Sequence, residues 1–301
     1  MASEGIDWSK LTIGMLGGDK REQEIARRAG ATGADVRAYG FAWPEPGIPG
    51  VKHIADPAAV LRGARFALFP IPGIAANGAL FAPAAAAPII PDRAMLSGMT
   101  KRAHIILGWA DKNLKAHCEA LSIELHEYEW DRSLMLQRTP AIIEGLLKLV
   151  IEHTAITIHG AQACVVGQGT IGAVLARYLV ALGAHTHVVA RNAEQRAAAY
   201  VAGATPHLLD ELPRLAPQLD LLFSTVPVRV VGEDILARLK KSAFVADLAA
   251  PPGGVDFDAA KRLGLTAIWA RGLGSRAPVT VGASQWGGIR ERIEKILQEE
   301  P

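Results

Sequence analysis

Only two cysteines, Cys118 and Cys164, occur in 301 residues, and the second falls inside an apolar run. Neither a disulfide framework nor a thiolate metal centre is readable, and reduced thiols in a cytoplasmic protein are expected. Charge of one sign is not in excess. The net charge is +2 with Lys and Arg scattered along the chain, which leaves no electrostatic footprint for nucleic acid. The opening MASEGIDWSK lacks the apolar core of an export signal. The longest uncharged stretch, residues 67–91, is broken by Pro70, Pro72, Gly73, Gly78, Pro83 and Pro88, so it reads as a strand end and a long loop, not as a membrane span. His126-Glu127 is followed by Trp130 where a zinc-protease helix needs its second histidine, and His185 with His187 lack a third ligand. No metal site is expected, and no solenoid repeat or low-complexity tail is found.

What is present is a dinucleotide-binding unit in sequence order. An apolar run, Ala163 to Val166, enters Gly167-Gln168-Gly169-Thr170-Ile171-Gly172, a helical pattern follows, and a second β-branched run ends at Ala190. Gly167 suits the tight turn, Gly169 the approach of a pyrophosphate to the helix N-terminus, and Gly172 close packing of helix on strand. An NAD site usually has Asp or Glu after the second strand to accept from the ribose hydroxyls. Here the positions are Arg191 and Asn192, with Arg196 one turn on. Cations there suit a 2′-phosphate, so NADP(H) is expected, unless Arg191 is only a solvated surface charge.

Half of the residues are hydrophobic, which supports two α/β cores. Strand patterns at Leu11 to Leu16, Asp35 to Tyr39, Arg65 to Phe69, His104 to Leu107 and Ile123 to Glu127 alternate with helical ones. A first Rossmann-like domain is expected over residues 1–138, with a C-terminal helix at 282–301 returning to it. The NADP-binding Rossmann domain spans 139–281, with further strands at Asp220 to Ser224, Ala243 to Ala246 and Thr266 to Trp269. A linking helix at 139–155 has Thr139 as N-cap and Pro140 at its first position, and its mostly apolar circumference predicts burial. The fold class is therefore α/β, with two parallel-sheet domains joined by a helix. Ligands in such sheets bind in the crevice at the carboxyl ends of the strands.

GGDKR after the first strand, TPAIIEG, TIHGAQACVVGQGTIG, STVP, DLAAPPGGVDF and ARGLGSRAP together resemble the A-subunit family of dipicolinate synthase along nearly the whole chain. Alanine dehydrogenase and adenosylhomocysteinase share the general layout but not this combination. The resemblance implies NADP-dependent oxidation of the dihydrodipicolinate formed when 4-hydroxy-tetrahydrodipicolinate, from a branch of the lysine pathway, loses water. The product is dipicolinate, made in the mother cell of a sporulating bacterium. The resemblance also implies, as partner, a flavoprotein-like B subunit, and a homo-oligomer is expected.

A planar dicarboxylate held against a nicotinamide needs cations, hydroxyls or backbone N–H groups at both ends. Gly18, Lys20 and Arg21 are the candidates for one carboxylate and Ser275 with Arg276 for the other, the competing role for each cation being a solvated helix face or a surface ion pair. Asp19 is the first candidate proton donor if loss of water is assisted, with a helix N-cap as the equal alternative. Glu144, on the apolar linking helix, is the second, against a hydrogen bond to backbone or a hinge role. Thr225, Val226 and Pro227 with Asp247, Leu248 and Ala249 follow strands that flank the nicotinamide end, and Asp247 is also read as a possible structural residue or acid. Two other functions remain open: another NADP-dependent dehydrogenase of an amino or hydroxy acid, and a non-catalytic NADP(H)-binding subunit.

Overall fold

The computed structural model describes residues 6–300. The first five residues of the polar opening stretch, and Pro301 at the end of the expected C-terminal segment, lie outside the described residues. The chain divides into two compact units, one containing residues up to Arg138 together with those from Ala277 onward, the other running from Thr139 to Arg276.

The first unit is a parallel sheet of β1 (Thr12–Leu16), β2 (Asp35–Tyr39), β3 (Val51–His53), β4 (Phe66–Leu68), β5 (His104–Leu107) and β6 (Glu124–Glu127), in the order β3-β2-β1-β4-β5-β6. Its helices are α1 (Lys20–Gly30), α2 (Pro57–Leu61), α3 (Arg93–Leu96) and α4 (Lys112–Leu121). A parallel sheet is covered on both faces, which is why β1, β4 and β5 are near-continuous apolar runs; Ile13, Met15, Leu16, Phe66, Ile105 and Ile106 are all buried. The strand order reverses between β1 and β4, so the loops after these two strands diverge around the carboxyl edge. The C-terminal helix, Pro278–Glu299, lies on α1. Gly282 permits that contact, because a Cβ there would fall 2.6 Å from the Arg21 carbonyl oxygen and 2.7 Å from Glu24 Cβ.

The long helix α5 (Arg132–His153) crosses from the first unit's residues into the second's. It begins seven residues before the expected Thr139, because Asp131 Oδ1 accepts from the backbone N–H groups of Ser133 and Leu134 and so caps the start; Pro140 then sits inside the helix. Nor is the helix buried all round. Ile143, Leu146 and Val150 join the second unit's core, whereas Glu144, Lys148 and Ile151 are exposed.

The second unit repeats the same plan with β7 (Gln162–Val166), β8 (His185–Val189), β9 (Thr205–His207), β10 (Leu221–Ser224), β11 (Phe244–Asp247) and β12 (Thr266–Trp269), ordered β12-β11-β10-β7-β8-β9. Its helices are α6 (Thr170–Ala181), α7 (Ala193–Val201), α8 (Leu212–Leu215), α9 (Glu233–Leu236) and α10 (Phe257–Arg262), which makes the C-terminal helix α11. The reversal here falls between β7 and β10. Ala163, Val165, Leu221, Phe223, Phe244 and Ala246 form the centre of one core face, and Cys164, Leu222 and Val245 that of the other. Among the described residues no helix is long and apolar enough to cross a membrane.

Candidate functional site

In the second unit the glycine loop leaves β7 at the strand-order reversal. Gly167 has φ +106°, which a side chain rarely adopts, and a Cβ on Gly172 would collide with the Gly167 carbonyl oxygen, so turn and helix start require both glycines. Gly169, by contrast, has nothing within 4 Å of where a Cβ would lie. It is the N-cap of α6, and no side chain caps that helix start. Open space in front of uncapped helical N–H groups is what a pyrophosphate fills, and the loop residues fit a dinucleotide on that ground. Gln168 adds a buried Oε1 without a hydrogen-bond partner. Thr170 and Ile171 open the first turn of α6.

Past β8, Arg191 is exposed, and no acidic side chain of the described residues pairs with it. Asn192 caps α7, its Oδ1 accepting from the Gln195 backbone N–H at 2.7 Å. Arg196 folds back, with Nη1 donating to the carbonyls of Ala190 and Arg191 at 2.9 Å each. These bonds fix the turn that presents Arg191 and leave Arg191 as the free cation of the expected trio.

Thr225 Oγ1 donates to the Val166 carbonyl at 3.1 Å, tying the loop after β10 to the end of β7, while Val226 and Pro227 continue outward. Asp247 is fully buried. Its carboxylate accepts from the N–H groups of Ala249 (2.9 Å), Gly254 (2.6 Å) and Val255 (3.2 Å), and Trp269 Nε1 donates to the Ala249 carbonyl. With its oxygens committed to folding the loop that carries Leu248 and Ala249, Asp247 is a structural residue and not a proton donor. Glu144 is exposed and ion-paired with Arg276, a side-chain cation in place of the backbone group weighed from the sequence. Ser275 Oγ donates to the Gly272 carbonyl at 2.8 Å.

In the first unit, GGDKR closes around a polar cluster at the carboxyl edge. Asp19 is the N-cap of α1 and belongs to a capping box with Glu22. Glu22 Oε2 accepts from the Asp19 N–H at 2.8 Å, and Oε1 reaches across to the Ile71 N–H at 2.9 Å, joining the loops after β1 and β4. Arg21, only 7% exposed, grips Asp19 in two parallel bonds, Nε to Oδ1 at 2.9 Å and Nη2 to Oδ2 at 2.8 Å. Burial works to raise the Asp19 carboxyl, but the hydrogen bonds and charge of Arg21 prevail and hold it below the usual carboxylate range. Glu22 goes the other way: burial pushes its carboxyl up to about 7, against the opposing charge of Arg21. Lys20 is exposed. Gly18 precedes the cap with its N–H donating to the Phe81 carbonyl at 2.6 Å.

Two further residues join this cluster without a sequence signal. Tyr128, just past β6, is buried with no hydrogen-bond partner for its hydroxyl; burial, and then the charge of Glu22, raise its phenol. Arg138 is buried and donates to Glu129 Oε2 at 2.7 Å. The spacing Asp19 to Glu22 is itself a capping-box signature, so Glu22 was findable.

Comparison with known proteins divides along the same lines as the fold. Residues 12–129 match the N-terminal domain of the dipicolinate synthase A subunit, and residues 148–250 match the NAD-binding domain of D-isomer-specific 2-hydroxyacid dehydrogenases. The dipicolinate synthase A subunit of Bacillus subtilis (strain 168) is 27% identical over 294 residues, covering 96% of this chain and 98% of that one. The crystal structure of the dipicolinate synthase A subunit from Bacillus halodurans superposes with a TM-score of 0.89 at 27% identity, over 95% of this chain and 98% of that one. That of the Bacillus subtilis protein superposes at 0.86, also at 27% identity, over 96% and 98%. In sequence and in fold, the chain is similar to the dipicolinate synthase A subunit along nearly its whole length.

Proposed function

We propose that the chain is an NADP-dependent dehydrogenase that oxidises dihydrodipicolinate to dipicolinate, working with a flavoprotein-like B subunit. The observation that carries the coenzyme assignment is the uncapped glycine loop of the second unit followed, after β8, by an exposed Arg191 and no carboxylate. When bound, the coenzyme supplies the hydride acceptor, and aromatisation of the ring supplies driving force. What remains for the protein is positioning, one proton to accept in the oxidation and one to donate if loss of water is assisted. In the first unit Lys20 is the free cation for a substrate carboxylate, and Gly18 and Arg21 shape the loop beside it. Asp19, held ionised by Arg21, suits the acceptor of the ring proton better than the donor expected from sequence. Glu22, protonated up to near-neutral pH, is the group of this cluster able to hold a proton for a leaving hydroxyl. In the second unit Glu144 holds Arg276 beside Ser275, and these stay as proposed carboxylate contacts.

The test mixes the purified chain with NADP⁺ and freshly generated 4-hydroxy-tetrahydrodipicolinate, with and without the B subunit, and follows NADPH and pyridine dicarboxylate absorbance, with NAD⁺ in parallel. Product with NADP⁺ supports the reading, and dependence on the partner makes this the coenzyme-binding half of a complex. Coenzyme binding without product in either arm would overturn the substrate assignment, and preference for NAD⁺ would overturn the role of Arg191.

A further inference from the structure

A second group of chemistry-bearing side chains occupies the first unit's sheet at the amino ends of β5 and β6, the edge opposite the GGDKR loop. His104 opens β5, Glu124 opens β6 directly across from it in register, and His126 follows two residues on, on the same face. His104 Nδ1 lies 3.1 Å from His126 Nε2 and 3.7 Å from Glu124 Oε2, and His126 Nε2 lies 3.9 Å from that oxygen. An ion set slightly out of the plane of these three atoms, as a tetrahedron requires, lies about 2.2 Å from each, at the long end of zinc bonds to imidazole nitrogen and carboxylate oxygen.

A histidine pair sharing one proton accounts for the 3.1 Å separation but leaves a second feature unexplained. The His104 side chain is 0% exposed, stacked on Phe66, and its remaining nitrogen, Nε2, has no hydrogen-bond partner. It faces Glu300 Oε2 at 3.5 Å, a carboxylate oxygen that is also buried and without a hydrogen-bond partner, with Arg65 Nη2 3.7 Å away on its other side. A carboxylate behind the far nitrogen of a histidine is the usual support of a metal ligand: it fixes the tautomer with hydrogen on Nε2 and leaves the Nδ1 lone pair for the metal.

We propose that His104, Glu124 and His126 bind one zinc-class divalent cation, with Glu300 orienting His104 from behind. Water completes the tetrahedron on the Glu124 side, where that side chain is 62% exposed. Burial lowers both imidazoles from their ordinary value, the direction that favours the neutral ring a metal takes. Binding needs only tautomer shifts, Nε2–H on His104 and Nδ1–H on His126, with no net proton released. Imidazole and carboxylate donors select zinc over magnesium or calcium. The ion also has a structural consequence. Glu300 follows α11, and Arg65 Nη2 donates to its carbonyl at 2.9 Å, so the site fastens the end of that helix to the sheet. This inference does not depend on the dehydrogenase reading.

The full chain, stripped with chelator, is titrated with Zn²⁺ against a chromogenic competitor, and with Co²⁺ as a spectroscopic substitute. One equivalent is expected to bind, with a rise in Tm and the intense visible bands of four-coordinate cobalt. His126→Asn and Glu124→Gln, both partly exposed positions, are expected to abolish it, and Glu300→Gln to weaken it about 10- to 100-fold. Failure to bind a stoichiometric ion, a pale six-coordinate cobalt spectrum, or equal binding by wild type and the His126 and Glu124 variants would overturn the site.

Discussion

Glu22 shows how a single carboxyl ties two loops together and what that costs. Both of its oxygens accept backbone N–H groups, from Asp19 and Ile71, in a site that excludes water. With its carboxyl raised from 4.5 to about 7, the folded protein holds a proton that the unfolded chain releases first. Its contribution to stability is therefore full below about pH 4.5 and is lost as pH rises towards 7. Glu22→Gln removes that titration. Urea denaturation at pH 5 and pH 7.5 should show the variant losing less stability across the interval than wild type, although it starts about 1–3 kcal/mol lower because one N–H loses its acceptor; parallel profiles would refute the raised carboxyl. Arg191→Glu is expected to raise KM for NADP⁺ at least tenfold with little change for NAD⁺, read from initial rates or from coenzyme binding by fluorescence. The spacing of Asp19 and Glu22 and the missing acid after β8 are legible in the sequence because both are local. The bond from Glu22 to Ile71 is not, since it joins residues 49 positions apart. Arg196 looks like a phosphate ligand for the same reason: nothing local shows that its guanidinium is spent on the Ala190 and Arg191 carbonyls.

Among the elements, strands with buried apolar runs announce themselves, and Asp35–Tyr39 and His104–Leu107 coincide with their sequence patterns. The strands the sequence conceals are β3 and β9, three residues each at sheet edges, reading Val-Lys-His and Thr-Pro-His. With one face or both in water they carry no apolar alternation, and their pairing comes from the neighbouring strand. The start of α5 was hidden by a competing signal. Thr-Pro at 139–140 is a respectable helix opening, but Asp131 offers an earlier cap, and the helix runs on through Pro140. Helix α11 makes its own prediction through two glycines. Gly282→Ala should destabilise by about 1–3 kcal/mol, because its methyl meets the α1 backbone. Gly287→Ala, with nothing within 4 Å, should stabilise by up to about 1 kcal/mol through helix propensity. Chemical denaturation of the two variants side by side checks the packing of α11 on α1, and equal signs would contradict it.

At the scale of the whole molecule, the two units are built on one plan, yet they differ in how the chain composes them. The second is continuous from Thr139 to Arg276, whereas the first needs the residues from Ala277 onward to cover α1. A chain ending at Arg276 is expected to keep coenzyme binding while the amides of β1 to β6 lose protection, measured by hydrogen exchange; unchanged protection would show that α11 is dispensable. Domain doubling and the parallel sheets were readable from alternating strand and helix patterns. The discontinuity has a consequence for synthesis. Chains usually fold from the end made first. Here the ribosome delivers the whole second unit while the first still lacks its closing helix, so the domain begun first is completed last, and until α11 emerges the α1 face is an exposed surface that a chaperone would have reason to cover.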